Sequence, residues 1–131
     1  MEKAIIAVIV ILLAGCAANQ AAFSPDIEAR ILPQQSTVNL NEDDILVTVE
    51  NVGEIAAYEV EVDISVNGQS VEDETISSLP NGDDERYEFT VSDLEEYCEG
   101  SSELTVRVGQ NPNGVKDLNA QNNEASTVFT C

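Results

Sequence analysis

The sequence predicts an all-β fold, an immunoglobulin-like antiparallel β-sandwich of about seven strands, on three observations. Beyond residue 25 the apolar residues recur with a period of two rather than 3.6. Turn dipeptides, above all Asn67-Gly68 and Asn81-Gly82, part these alternating runs at short intervals. No long helical pattern interrupts them.

Ile27 to Leu32 reads as the first strand and Ile45 to Val52 as the second, the latter rich in Val and Thr, whose branched side chains suit a pleated surface. Tyr58, Val60, Val62, Ile64 and Val66 alternate with Glu59, Glu61, Asp63 and Ser65, then run straight into Asn67-Gly68. This is a half-buried strand entering a tight hairpin, with its five apolar positions expected on the core face and its acids in water. Val71 to Leu79 returns and stops at Leu79-Pro80-Asn81-Gly82, where Pro followed by Gly supplies turn chemistry. Tyr87, Phe89 and Val91 mark another strand, Leu104, Val106 and Val108 the next, and Val128 with Phe129 the last. Ser92 to Tyr97 is a loop or a single helical turn.

Ahead of the sandwich stand Met1-Glu2-Lys3, an apolar run from Ala4 to Ala14, then Gly15-Cys16 and the small, polar Ala17-Ala18-Asn19-Gln20. That order is the one found in an export signal, here a signal peptide over residues 1–15. As a short hydrophobic helix the run covers about 17 Å, well short of the ~30 Å hydrocarbon core of a bilayer. Leu13-Ala14-Gly15-Cys16 closely resembles the lipobox of prokaryotic lipoproteins, in which cleavage just before the Cys leaves a thiol that carries lipid. The resemblance implies lipidation at Cys16 and a membrane partner through that lipid. Residues 16–24 would then be the lipidated Cys and its tether, whose stretch from Ala17 to Ser24 reaches at most about 28 Å. Two alternatives stay open. One is a plain secretory signal with an incidental Cys16. The other is pilin-like processing after Lys3, which keeps Ala4 to Phe23 as the assembly helix of a filament subunit.

Cys16, Cys98 and Cys131 make an odd count in an exported chain. With Cys16 lipidated the remaining pair is even, and export places it where disulfides form. A Cys98–Cys131 disulfide would staple the chain end for about 2–4 kcal/mol by loop closure. Two free thiols are the alternative reading. If the strand around Leu104 to Val108 pairs antiparallel with the one ending at Cys131, Cys98 lies a few residues from its partner.

Ile45-Leu-Val-Thr-Val-Glu-Asn51-Val-Gly53, then Ala56-Ala57 and an alternating strand, Asn67-Gly68, Leu79-Pro80-Asn81-Gly82 and the late Asp117-Leu-Asn-Ala-Gln-Asn122-Asn123-Glu124 together resemble the CARDB module. This is the cell-adhesion-related domain of bacterial and archaeal surface proteins. The resemblance spans about Pro25 to Thr130, nearly the whole of the domain at 25–131, and implies a β-sandwich in a surface or adhesion setting, with no catalytic residues to carry over. The Cys98–Cys131 pair is not a hallmark of that family, and the usual tandem copies are absent from this sequence.

The acidic groups Glu42-Asp43-Asp44, Glu72-Asp73-Glu74, Asp83-Asp84-Glu85 and Asp93 with Glu95-Glu96 are the candidates for Ca²⁺, which takes oxygen ligands from flexible loops. Each is expected at a strand end or turn, where solvated charge belongs in any case. Asp117-x-Asn119-x-Gln121 opens like an EF-hand loop, but Asn122 stands where Gly is needed and Val128 where Glu is needed. No metal site and no cofactor is assigned. There is no His and no Gly-x-Ser-x-Gly, and no carboxylate is expected on the core face of a strong strand, so acid/base and triad chemistry find no support and no enzyme is expected.

The chain has 25 acids against 5 scattered bases, a net charge of −20, which excludes nucleic acid as a partner. The sequence thus reads as a non-enzymatic cell-surface lipoprotein, extracytoplasmic and anchored to the cell membrane, that acts as an adhesion or protein-interaction module. Its acidity and low Lys content point to an archaeon. A pilin-like subunit and a Ca²⁺-dependent surface ligand binder are the alternatives. Residues 1–15 hold one acid, Glu2, and one base, Lys3, so the whole net charge of −20 belongs to the remainder. Self-repulsion across one small domain weakens the fold at low salt and is screened near 1 M, where the Debye length is about 3 Å. The melting temperature is therefore expected to rise with salt concentration, and equal values at low and high salt would refute this.

Overall fold

A computed structural model describes residues 25–110 and 123–131. The expected N-terminal helix, Cys16 and the tether lie outside the described residues. Eight strands follow in order: β1 Ile27–Leu32, β2 Thr37–Asn39, β3 Ile45–Asn51, β4 Ala57–Val66, β5 Gln69–Leu79, β6 Asp84–Phe89, β7 Ser102–Gln110 and β8 Glu124–Thr130. They form a three-stranded sheet ordered β1-β3-β6 and a five-stranded sheet ordered β2-β8-β7-β4-β5. The two sheets face each other as an immunoglobulin-like sandwich. Every pairing is antiparallel except β2 with β8, which is parallel. A single 3₁₀ turn, Glu95–Tyr97, stands between β6 and β7.

The core is aliphatic. Val47 and Val49 of β3, Val60, Val62 and Ile64 of β4, and Leu104 and Val106 of β7 are fully buried, with Phe129 the largest side chain among the sealed ones. Each such burial contributes about 1.5–3 kcal/mol, so two inward rows of Val and Ile supply the cohesion that aromatic rings give elsewhere.

Two features depart from the sequence reading. The short strand β2 is additional: after β1 the chain passes the cis Leu32-Pro33 peptide and joins the other sheet. Only Val38 of its three residues is buried, and one apolar position makes no visible alternation. The second departure is in β4. Tyr58 does not join the core face but is 62% exposed, and Ala57 is buried in its place. The cause is Glu59, whose φ of 52° is left-handed and inverts the parity of the strand. Opposite it, Ser77 and Ser78 are exposed between buried Ile76 and Leu79, so β5 changes phase with its partner and the register survives.

At the far end of β4, Asn67 and Gly68 have φ of 51° and 84°, the double left-handed pair of a type I′ hairpin. The Asn67 amide also closes on β7, its Oδ1 accepting from Glu103 N at 3.0 Å and its Nδ2 donating to Ser102 Oγ at 3.2 Å. Beside this end Cys98 and Cys131 are bonded, with Cα atoms 5.2 Å apart, because antiparallel pairing sets Ser102 opposite Phe129.

At the other end sits Asn51, a fully buried polar residue. Its Nδ2 donates to Leu79 O at 2.9 Å and Ile55 O at 2.8 Å, and its Oδ1 accepts from Gly53 N at 3.0 Å and, longer, from Asp26 N at 3.4 Å. Its main chain accepts from Gly82 N at 2.8 Å and donates to Asp83 O at 3.0 Å. One residue thereby holds the start of β1, the β3–β4 connection, the end of β5 and the β5–β6 turn. Removing the amide strands several buried partners at about 1–3 kcal/mol each. Asn51→Ala should lower the unfolding free energy by about 3 kcal/mol or more. Asn51→Asp should fail to rescue it, since a carboxylate lacks both donors. Chemical denaturation of the two variants measures this, and a loss below about 1 kcal/mol would contradict it.

Candidate interaction surface

The outward residues of β1, β3 and β6 are fixed by pairing register. Glu28 lies opposite Glu50 and Glu50 opposite Asp84, giving a row of three acids across the sheet. Two residues along each strand, Arg30 lies opposite Thr48 and Thr48 opposite Arg86. The next row is Leu32, Leu46 and Glu88. Like charges side by side repel, and the Arg row answers the acidic row. Arg30 Nε lies 3.1 Å from Glu28 and its Nη2 3.4 Å from Glu50, while Arg86 Nε lies 3.0 Å from Asp84. These pairs border a shallow depression of about 320 Å³ floored by Thr48. At such exposed positions each pair contributes about 1 kcal/mol or less.

Sequence reasoning passed over this surface, because neighbours in the order β1-β3-β6 are far apart in the chain. A trace was present in the dipeptide spacing: Glu28-x-Arg30, Thr48-x-Glu50 and Asp84-x-Arg86 each put two polar side chains on one strand face.

The acidic groups are distributed differently from expectation. Glu42-Asp43-Asp44 lies in the β2–β3 turn, and Asp93 closes a turn by accepting from Thr90 N at 2.8 Å. Glu72-Asp73-Glu74, however, lies within β5 and not at a strand end. Glu72 and Glu74 pair with Ile64 and Val62, and Glu85 with Val49, so these carboxylates occupy core-facing positions at the open side of the sandwich. The expectation that Glu72-Asp73-Glu74 stands at a strand end or turn is corrected by this placement, and Glu72 and Glu74 remain exposed there. The reason is that β5 is an edge strand, and the three-stranded sheet ends at β6 opposite it, leaving the flank open to water. Among the described residues no three His, Cys, Asp or Glu group as a metal site. The Asp117 to Gln121 segment lies outside the described residues.

Tyr87 of β6 points into this flank. Its hydroxyl is buried and makes no hydrogen bond of good geometry. Burial first, then the carboxylate of Glu74 with Glu85 and Glu72 behind it, raises its pKa well above the usual phenol range.

The CARDB profile matches residues 24–127. The chain belongs to the CARDB family. The CARDB domain of a Pyrococcus furiosus protein, solved as a crystal in complex with di-metal ions and by NMR in solution, is 24% identical with a TM-score of 0.60. Those matches cover 82% of this chain and 88% and 94% of the two solved chains. A domain of a protein named as a cell surface protein of Methanosarcina acetivorans is 26% identical over 80% of this chain and 90% of its own, with a TM-score of 0.57. No curated protein matches. CARDB is a surface-protein domain, and no enzymatic family is indicated by these matches.

Within this CARDB domain, Tyr87 makes a test of the acidic flank. The folded form holds a proton that the unfolded chain releases near pH 10. Stability attributable to Tyr87 is complete below about pH 10 and is lost as pH rises above it. Tyr87→Phe should make the alkaline fall of the melting temperature shallower. Superimposable profiles above pH 10 for the two proteins would overturn this assignment.

Proposed function

We propose that the protein is a non-enzymatic cell-surface lipoprotein, held to the membrane through lipid on Cys16, whose CARDB sandwich acts as an adhesion or protein-interaction module. The observation that carries this reading is the CARDB match over residues 24–127, directly behind Leu13-Ala14-Gly15-Cys16. The Methanosarcina relative, named as a cell surface protein, supports the extracytoplasmic setting. The archaeal sources of both relatives support an archaeal host.

In this reading residues 1–15 are removed as a signal peptide, Cys16 carries the lipid, and residues 17–24 keep the domain within about 28 Å of the bilayer. A single saturated chain gives marginal attachment, so two chains on Cys16 or a membrane-bound partner complete the anchor. The domain then meets a protein or surface polymer rather than nucleic acid, since a net charge of −20 repels polyphosphate.

Mass spectrometry of the mature protein tests the anchor. The expected species begins at Cys16 and exceeds its polypeptide mass by that of attached lipid. A mature chain beginning at Ala4 would instead make the protein a pilin-type subunit, and an unmodified Cys16 would make it a secreted domain.

A further inference from the structure

The outer face of β1-β3-β6 is complementary to itself. Along the strands its rows run from Val52, through the acidic row Glu28–Glu50–Asp84 and the row Arg30–Thr48–Arg86, to Leu32 and Leu46. A twofold axis lying in the contact plane between the acidic and Arg rows exchanges them. It sets Glu28 of one copy over Arg30 of the other, Asp84 over Arg86 and Glu50 over Thr48. The same rotation brings Leu46 opposite Val52.

From this match we infer that the face is an isologous contact surface whose occupant is a second copy of this chain. Three observations carry it. The first is charge: on a chain of net −20, four acids and two of the three described cations share this face, so like-charged copies meet least repulsion here. The second is unused donor capacity. Arg86 is 68% exposed and donates through Nε to Asp84, and a guanidinium carries five N–H donors in a fork suited to a second carboxylate. The third is that Val52 and Leu32, 42% and 40% exposed, are two of the three exposed large hydrophobics among the described residues and stand at opposite ends of this face. Isologous symmetry covers both ends at once.

Three strands spaced about 4.8 Å apart and some six residues long give a footprint of about 14 by 20 Å. The contact is therefore smaller than stable specific interfaces, and the pair is weak and transient. The inference stands apart from the anchoring of Cys16.

Sedimentation equilibrium of the full chain in density-matched detergent tests it, at about 0.5 M salt, where the screening length of about 4 Å spares only contact pairs. The expected result is a concentration-dependent monomer–dimer equilibrium. The variant Arg30→Glu with Arg86→Glu, and separately Glu28→Arg with Asp84→Arg, should each weaken the dimer about tenfold or more. An equimolar mixture of the two should restore association, since one face is then acidic and the other basic. A monomer at every concentration overturns the inference. Association untouched by both variants also overturns it, because another surface such as the Ala4 to Ala14 run then holds the pair. Should a variant fail to fold by circular dichroism, dilution of the wild type followed by amide NMR decides alone. Shifts on the outward residues of β1, β3 and β6 support the contact, and shifts confined elsewhere overturn it.

Discussion

The sandwich depends on one buried side-chain amide. Where two sheets meet at an open end, the chain must turn several times, and each turn leaves main-chain N–H and C=O groups without ladder partners. Water satisfies them at the surface, but beneath it an unpaired group costs about 1–3 kcal/mol. Asn51 brings two donors and an acceptor into that space and spends them on Leu79, Ile55, Gly53 and Asp26. Its own main chain anchors the β5–β6 turn through Gly82, whose φ of 84° is the left-handed value Gly reaches without strain. No other side chain of this size offers both donors and acceptor without charge. The opposite end is closed by different chemistry, the Cys98–Cys131 bond and the Asn67 amide on β7. The fold is thus pinned at both ends, and the aliphatic rows between supply its cohesion.

Most of the architecture was legible because it is written locally. Period-two runs at Ile27–Leu32 and Ile45–Asn51 and the Asn67-Gly68 turn all encode their structure within a few residues. What stayed hidden required knowledge of neighbours. Asn51 reads as turn chemistry in sequence, since nothing in Asn-Val-Gly says that its buried amide donates to a carbonyl 28 residues away. Tyr58 continues an unbroken alternation, and only the left-handed backbone at Glu59 sends it outward. Glu72 and Glu74 look like solvated turn charge until the register with Ile64 and Val62 turns them inward. The Arg row needs two pairings between strands distant in sequence.

The placement of charge then limits how this domain can touch anything. An edge strand with free main-chain groups invites another strand to pair with it, and inward-pointing charge is a known defence. β5 is the longest strand and lies at a sheet edge, so it would be the natural site for strand addition. Its inward Glu72 and Glu74 oppose that use, since a strand added there would press its inward side chains against carboxylates. The edge of β6 is guarded in the same way by Glu85. These acids work because the flank is open: in a sealed core they would have to be protonated or paired, whereas here they keep water between the sheet edges.

With β5 and β6 so guarded, β1 and β2 remain as sheet edges beside the two faces, and the faces are unequal. On the five-stranded sheet one outward row runs Asp73, Asp63, Arg107 and Glu124, its single cation flanked by acids and 3.4 Å from Glu124. That face gathers like charge and repels its own kind. On the three-stranded sheet the same kinds of residue are sorted into rows of opposite sign, with apolar side chains at both ends. Sorting costs nothing in net charge, yet it turns a repulsive surface into one with a fixed partner geometry. A strongly acidic chain can therefore remain soluble through its total charge and still be selective through the order in which that charge is arranged.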